Sequence, residues 1–191
     1  FIISLSQVFI SGDLSSKLVH KYQPAKFAAM EGHWKSGPAD MTILGFIDEK
    51  NGETIGLKIP GLTSFLLDFN TEYKVKGLDE IPPDERPPLQ ITFLSFHIMI
   101  AIGTLLILIS LAGCYFWWRK KLFDNKILMW IFVFSVLLPV TASTAGWITA
   151  EVGRQPWIVQ GLMKTADGVS PILSQSQLFF SNITFFLIYL M

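Results

Sequence analysis

Two side chains of opposite charge, Glu151 and Arg154, stand at the end of a long apolar run, inside the string AEVGRQPW (Ala150–Trp157). An ionisable group at membrane depth is costly and marks a functional site by default. Trp147, Glu151 and Arg154 follow at intervals of four and three, which places them on one helix face. One reading is a polar helix end with an interfacial Trp and an intrahelical ion pair. The other is an oriented carboxylate that ligates a metal or relays protons, with Arg154 offsetting a negative group beside it.

A second constellation is Ser95, Met99 and Gly103. Four-residue spacing sets small residues above and below a thioether on one face, the clearance that a flat macrocycle needs when methionine is its axial ligand. Close helix–helix packing through small residues gives the same pattern. His97 falls on a different face, where it pairs with a propionate or faces a polar interior. The third is Gln23–Trp34, QPAKFAAMEGHW. Pro24 suits a first helical turn and Gly32 a stop. Lys26 and Glu31 are five apart, about 140° around a helix, poorly placed to pair and better placed to bracket a small ligand. There a carboxylate takes a proton from a hydroxyl while a lysine binds the other oxygen. The alternative is an ordinary amphipathic surface helix. His20 and His33 read as solvated loop residues.

These residues need elements to position them. Residues 1–10 read as the end of one membrane helix, stopped by Ser11-Gly12-Asp13. Residues 11–88 form a structured extramembrane loop punctuated by Gly and Pro. Residues 89–118 and 127–150 are long enough to span a bilayer, and 171–191 reads as a further, truncated span. Pro139 predicts a kink in 127–150. The connector at 119–126 carries Arg119, Lys120, Lys121 and Lys126 after Trp117 and Trp118, which marks the cytoplasmic side. The 11–88 loop and the 151–170 connector then share the outer face. Met99 lies roughly 15 Å along its helix from Leu89, so loop, Met99 and Glu151–Arg154 converge on one side. The fold class is all-α: a polytopic transmembrane bundle with a partly helical extramembrane loop.

Composition agrees. Of 191 residues 51% are hydrophobic, and 15 basic side chains balance 15 acidic ones. Zero formal charge argues against a nucleic-acid partner. Cys114 is the single cysteine, which excludes an internal disulfide and a cysteine metal cluster. Phe1 opens inside one apolar segment and Met191 closes inside another, as expected of an internal piece of a longer protein.

The three constellations, in this order, resemble subunit I of cytochrome bd-type quinol oxidases. The matching strings are QPAKFAAMEGHW, FHIM (Phe96–Met99) and GW followed by AEVGRQPW (Gly146–Trp157). The chain looks like the C-terminal part of that subunit, with a short quinol loop. The resemblance implies a quinol:oxygen oxidoreductase that reduces O2 to water through low-spin haem b, high-spin haem b and haem d. It implies that the loop binds quinol, with Lys26 and Glu31 in quinol oxidation. It implies Met99 as an axial ligand of low-spin haem b and Glu151 as a ligand of either the high-spin haem b or haem d. Trp147 matches a tryptophan between the haems, and Arg154 and His97 are haem-associated, His97 standing where some relatives carry arginine. The family's histidine ligands belong to the N-terminal half. Implied partners are subunit II, small single-span subunits, quinol, O2 and lipid, in the bacterial cytoplasmic membrane. The rival class is a non-redox transporter or assembly subunit, with Glu151, Gln175 and Asn182 lining a solute path.

Overall fold

The computed structural model describes residues 1–170 and 172–190. Pro171 and Met191, the two ends of the expected last span, lie outside the described residues. The α-helical elements are α1 (Ile2–Ser6), α2 (Asp13–Tyr22), α3 (Pro24–Glu31), α4 (Leu62–Asp68), α5 (Leu89–Trp118), α6 (Lys126–Ser135), α7 (Leu137–Val152) and α8 (Gln175–Leu190). Short strands lie between them: β1 (Gly37–Pro38), β2 (Met41–Asp48), β3 (Glu53–Ile59), β4 (Lys74–Val75), β5 (Trp157–Val159) and β6 (Met163–Lys164).

The helix that opens the chain does not stop at Ser11-Gly12-Asp13. A π-helical stretch, Gln7–Gly12, joins α1 to α2, and the helical path continues to Tyr22. The wider π turn takes up the weak helix formers without breaking the backbone ladder. Pro139, by contrast, acts as its chemistry requires: α6 ends at Ser135, Val136 is a turn, and α7 begins at Leu137. Ser135 is the residue whose carbonyl loses its donor to a proline four positions on.

Among the described residues, two helices are long and apolar enough to cross a membrane, Leu89–Trp118 and Lys126–Val152. They pack antiparallel, and the seam is built from small and polar side chains. Ser95 and Thr149, both buried, share a hydroxyl hydrogen bond of 2.8 Å. The thioether of Met99 faces the bare backbone of Gly146. With no hydrophobic drive between helices in lipid, such close contacts and hydroxyl pairs hold them together.

The loop between α2 and α5 is a small mixed α/β layer rather than a purely helical one. β2 and β3 form an antiparallel hairpin through Asp48–Glu53. Gly45 pairs with Gly56, where any Cβ would strike the opposite backbone. The loop core is formed by Ala25, Ala28, Ala29, Ile47, Leu78 and Ile81, and it is continuous with Leu89 and Phe93 of the first turns of α5. The loop is therefore seated on the helix rather than tethered to it. Phe93 is fully buried there, a contribution of about 1.5–3 kcal/mol for a side chain of this size.

Candidate functional site

α3 is the centre of the loop, not an amphipathic surface helix. Pro24 opens it, and Gly32 closes it in the left-handed region at φ 66°. A Cβ on Gly32 would meet Thr54 Oγ1 at 2.6 Å and the Phe93 ring at 3.1 Å, so both φ and space demand glycine. Ala25, Phe27, Ala28, Ala29, Met30 and Glu31 are all buried. Alanines at 25, 28 and 29 give the helix a thin wall, which lets α5 approach it closely; the Ala-Ala pair in QPAKFAAMEGHW was the available sign of burial.

Lys26 is half-buried and reaches the end of α7, where Nζ donates to the Ala150 carbonyl at 3.3 Å. A cation at the C-terminal end of a helix is favoured by the helix dipole. Burial lowers the Lys26 pKa below the ordinary lysine value; Glu151 opposes that shift and Arg154 adds to it. Glycine again makes the approach possible. A Cβ on Gly153 would meet Thr149 O at 2.5 Å, Thr92 Cγ2 at 3.0 Å and Lys26 Cγ at 3.1 Å. Gly153, Thr92 and the Ala150 carbonyl are parts of the site that sequence reasoning passed over; the glycine of GRQPW was the one legible signal.

Glu31 faces away from Lys26. It is 7% exposed, and its carboxylate accepts a hydrogen bond from Thr63 Oγ1 of α4 at 3.3 Å. Burial raises its pKa to about 7, against the smaller lowering effect of the Thr63 hydroxyl. The two residues expected to bracket one ligand thus stand at opposite sides of α3, one on the helix end and one in the loop interior.

Glu151 and Arg154 form an ion pair of 2.6 Å, half-exposed on both sides. Trp147, one turn back, is 67% exposed. Around them are groups suited to an acidic, flat ligand. The buried Nε1–H of Trp157 has no hydrogen-bond partner, and the Lys164 ammonium lies 5.4 Å from the centre of its ring; an orphaned donor with a cation beside it fits an acidic group such as a haem propionate. Met99 is partly exposed, and a Cβ on Gly103, one turn further along the same face, would meet nothing within 4 Å, so open space adjoins that turn while the sulfur itself lies against Gly146. Ser95 does not add to it, because it is buried in the seam with Thr149. The donor set fits haem on these grounds.

His97 has other partners. Its Nδ1 lies 2.8 Å from the Phe93 carbonyl and its Nε2 2.7 Å from the Thr42 carbonyl. The ring ties β2 to the second turn of α5. His20 and His33 are half-buried rather than solvated: His20 meets Tyr73 Oη at 3.3 Å and the edge of Phe27, and His33 Nε2 meets the Val75 carbonyl at 3.3 Å. Burial lowers both below the usual histidine value. The connector after α7 closes back onto the loop through Lys164 and Asp84, 3.0 Å apart. Loop, helix end and connector therefore converge, as the topology required.

Comparison with known proteins agrees with this arrangement. The family model described as Cytochrome bd terminal oxidase subunit I matches residues 1–191. The cytochrome bd ubiquinol oxidase subunit 1 of Bacillus subtilis (strain 168) is 37% identical over 195 residues, covering 96% of this chain and 42% of the relative. The cytochrome bd-II ubiquinol oxidase subunit 1 of Escherichia coli (strain K12) is 26% identical, covering 90% of this chain and 46% of the relative. Among solved structures, the bd oxidase from Geobacillus thermodenitrificans superposes with a TM-score of 0.78 at 36% identity, over 100% of this chain and 43% of that one. The chain spans less than half the length of these relatives. With the family model matched from residue 1 to residue 191 and a relative 37% identical over 96% of the chain, the chain belongs to the cytochrome bd terminal oxidase subunit I family.

Proposed function

We propose that this chain is the part of a cytochrome bd-type terminal oxidase that oxidises quinol at the outer face of the bacterial cytoplasmic membrane and passes its electrons toward O2. The observation that carries the reading is the contact of Lys26 with the Ala150 carbonyl. It seats the helix bearing Glu31 directly on the end of the helix bearing Glu151. Met99 would hold the low-spin haem b and Glu151 either the high-spin haem b or haem d, and haem bound there would supply one-electron chemistry between quinol and dioxygen.

The chain's own groups do the proton work. Quinol loses two protons and two electrons on oxidation. Glu31, whose pKa stands at about 7, is half ionised near neutral pH and accepts a hydroxyl proton there. Lys26, on the other side of α3, acts on quinol oxidation through position, holding α3 against the end of α7 by its bond to the Ala150 carbonyl. Arg154 and the free Nε1–H of Trp157 offset propionate charge. Trp147 presents an exposed aromatic face between the levels of Met99 and Glu151 in the seam. Subunit II and small single-span subunits complete the assembly.

The test uses the full-length oxidase with its partner subunits. Met99→Leu should remove the low-spin haem b bands from a dithionite-reduced minus oxidised spectrum, and Glu151→Ala should remove a haem signal of the two-haem centre. Glu31→Gln should keep every band while quinol-driven oxygen uptake falls on the order of 100-fold. Unchanged spectra in both ligand variants, or full quinol-driven uptake in Glu31→Gln, would refute the reading.

A further inference from the structure

Glu31 is buried among Thr63 of α4 and the residues that follow α3, and it also lines a cavity of about 290 Å³ that opens to solvent. The charged and titratable groups around that cavity are Glu31, His33, Lys35, Asp40, Glu53 and Lys58; α4 contributes the Thr63 hydroxyl. Thr42 and Thr54 add hydroxyls to its wall. At roughly 30 Å³ per water molecule, a polar cavity of this size has room for several waters. A proton taken up by a carboxylate on a residue that is 7% exposed must leave again before the next turnover, and the cavity is an aqueous path beside it.

His33 stands on that path, two residues beyond Glu31. Its Nε2–H donates to the Val75 carbonyl at 3.3 Å, which leaves the lone pair of the neutral ring on Nδ1. Burial holds the ring toward its neutral form, while the backbone of Val75 and of Gly37 and the carboxylates of Asp40 and Asp79 favour the cation. The net effect lowers the His33 pKa, so the ring is held neutral and a proton that it binds is readily passed on.

We propose that this cleft is the exit by which the quinol proton leaves Glu31 for the outer aqueous phase, with His33 as its carrier, a role that rests on the quinol-oxidising reading of Glu31. The step is a proton transfer alone. The Glu31 carboxyl loses its proton to the cleft water, His33 Nδ1 binds it, and the imidazolium returns it to bulk water. No electron moves with it.

The experiment is steady-state oxidation of a soluble quinol by the full-length oxidase, with His33→Gln, His33→Ala and Glu31→Gln measured in parallel. Glutamine keeps an N–H for the Val75 carbonyl but carries no proton. His33→Gln should retain the haem spectra and the KM for quinol while kcat falls on the order of 10-fold. His33→Ala should show the same loss and recover when free imidazole is added to the buffer. Wild-type kcat in His33→Gln across the pH range would overturn the proposal. So would a loss expressed only in KM, which marks contact with the quinol headgroup, or a His33→Ala deficit that imidazole leaves unchanged. Should His33→Ala fail to assemble, the kcat of His33→Gln decides. Full turnover in Glu31→Gln removes the quinol reading itself, whereas an inactive Glu31→Gln beside wild-type His33 variants removes the exit alone.

Discussion

At the scale of single residues, Glu31 carries the sharpest consequence. Its pKa is raised by burial from 4.5 to about 7 in the folded protein. The folded state therefore binds more protons than the unfolded state between those values, so stability is fully present below the lower one and is lost as pH rises through the upper one. A shift of this size corresponds to roughly 3 kcal/mol. Glu31→Gln removes the dependence: its thermal midpoint for haem release should exceed that of the wild type at pH 8, with the gap narrowing toward pH 5. Thr63→Val acts in the opposite sense on the same group. It removes the hydrogen bond that lowers the carboxyl pKa, so the acid limb of the quinol-oxidation profile should move to higher pH. A profile that stays in place would separate Thr63 from the acid. None of this was readable from spacing. QPAKFAAMEGHW announced an acid and a base on one helix, but the hydroxyl beside the acid comes from 32 residues away, and the base is turned to a carbonyl 124 residues away.

At the scale of elements, the antiparallel seam of α5 and α7 sets the thioether. A Cβ on Gly146 would come within 2.9 Å of Met99 Sδ, whereas one on Gly103 would meet nothing within 4 Å. Gly146→Ala should therefore displace the Met99 side chain and lower or shift the low-spin haem b band. Gly103→Ala has room in the chain itself, so a fall in haem content there identifies the space as the macrocycle's. Equal, wild-type spectra in both variants would mean that Met99 is not a ligand. The long helices were legible because length and apolarity fix them, and the Pro139 break because a missing N–H has one outcome. The passage of helix through Ser11-Gly12-Asp13 was not, since a π turn leaves no mark in residue type. The seating of α3 was hidden for a related reason. Alanine is compatible with a surface helix and with a tightly packed one, and only the neighbours decide which.

At the scale of the whole molecule, α5 is 30 residues long, about 45 Å at 1.5 Å per residue, against a hydrocarbon core of about 30 Å. Its first turns carry the loop: Leu89 and Phe93 belong to the loop core, and His97 holds β2. The loop and the membrane helices should thus behave as one folding unit. Phe93→Ala should cost about 3–5 kcal/mol and release the loop before the helices, read as protease cleavage within residues 35–75 under conditions that leave the haem bands intact. Cleavage no faster than in the wild type would show that the loop is held elsewhere, for instance by the contact of Lys164 with Asp84.

One short rigid piece, α3, carries both a hand on the transmembrane helix end and a hand in the loop interior. Only five positions separate Lys26 from Glu31, about 7.5 Å of axial rise. One extra residue between them would swing either hand by roughly 100° and break the pairing of depth with direction. Segments elsewhere in the loop are free of that constraint, but this octet has to keep its count.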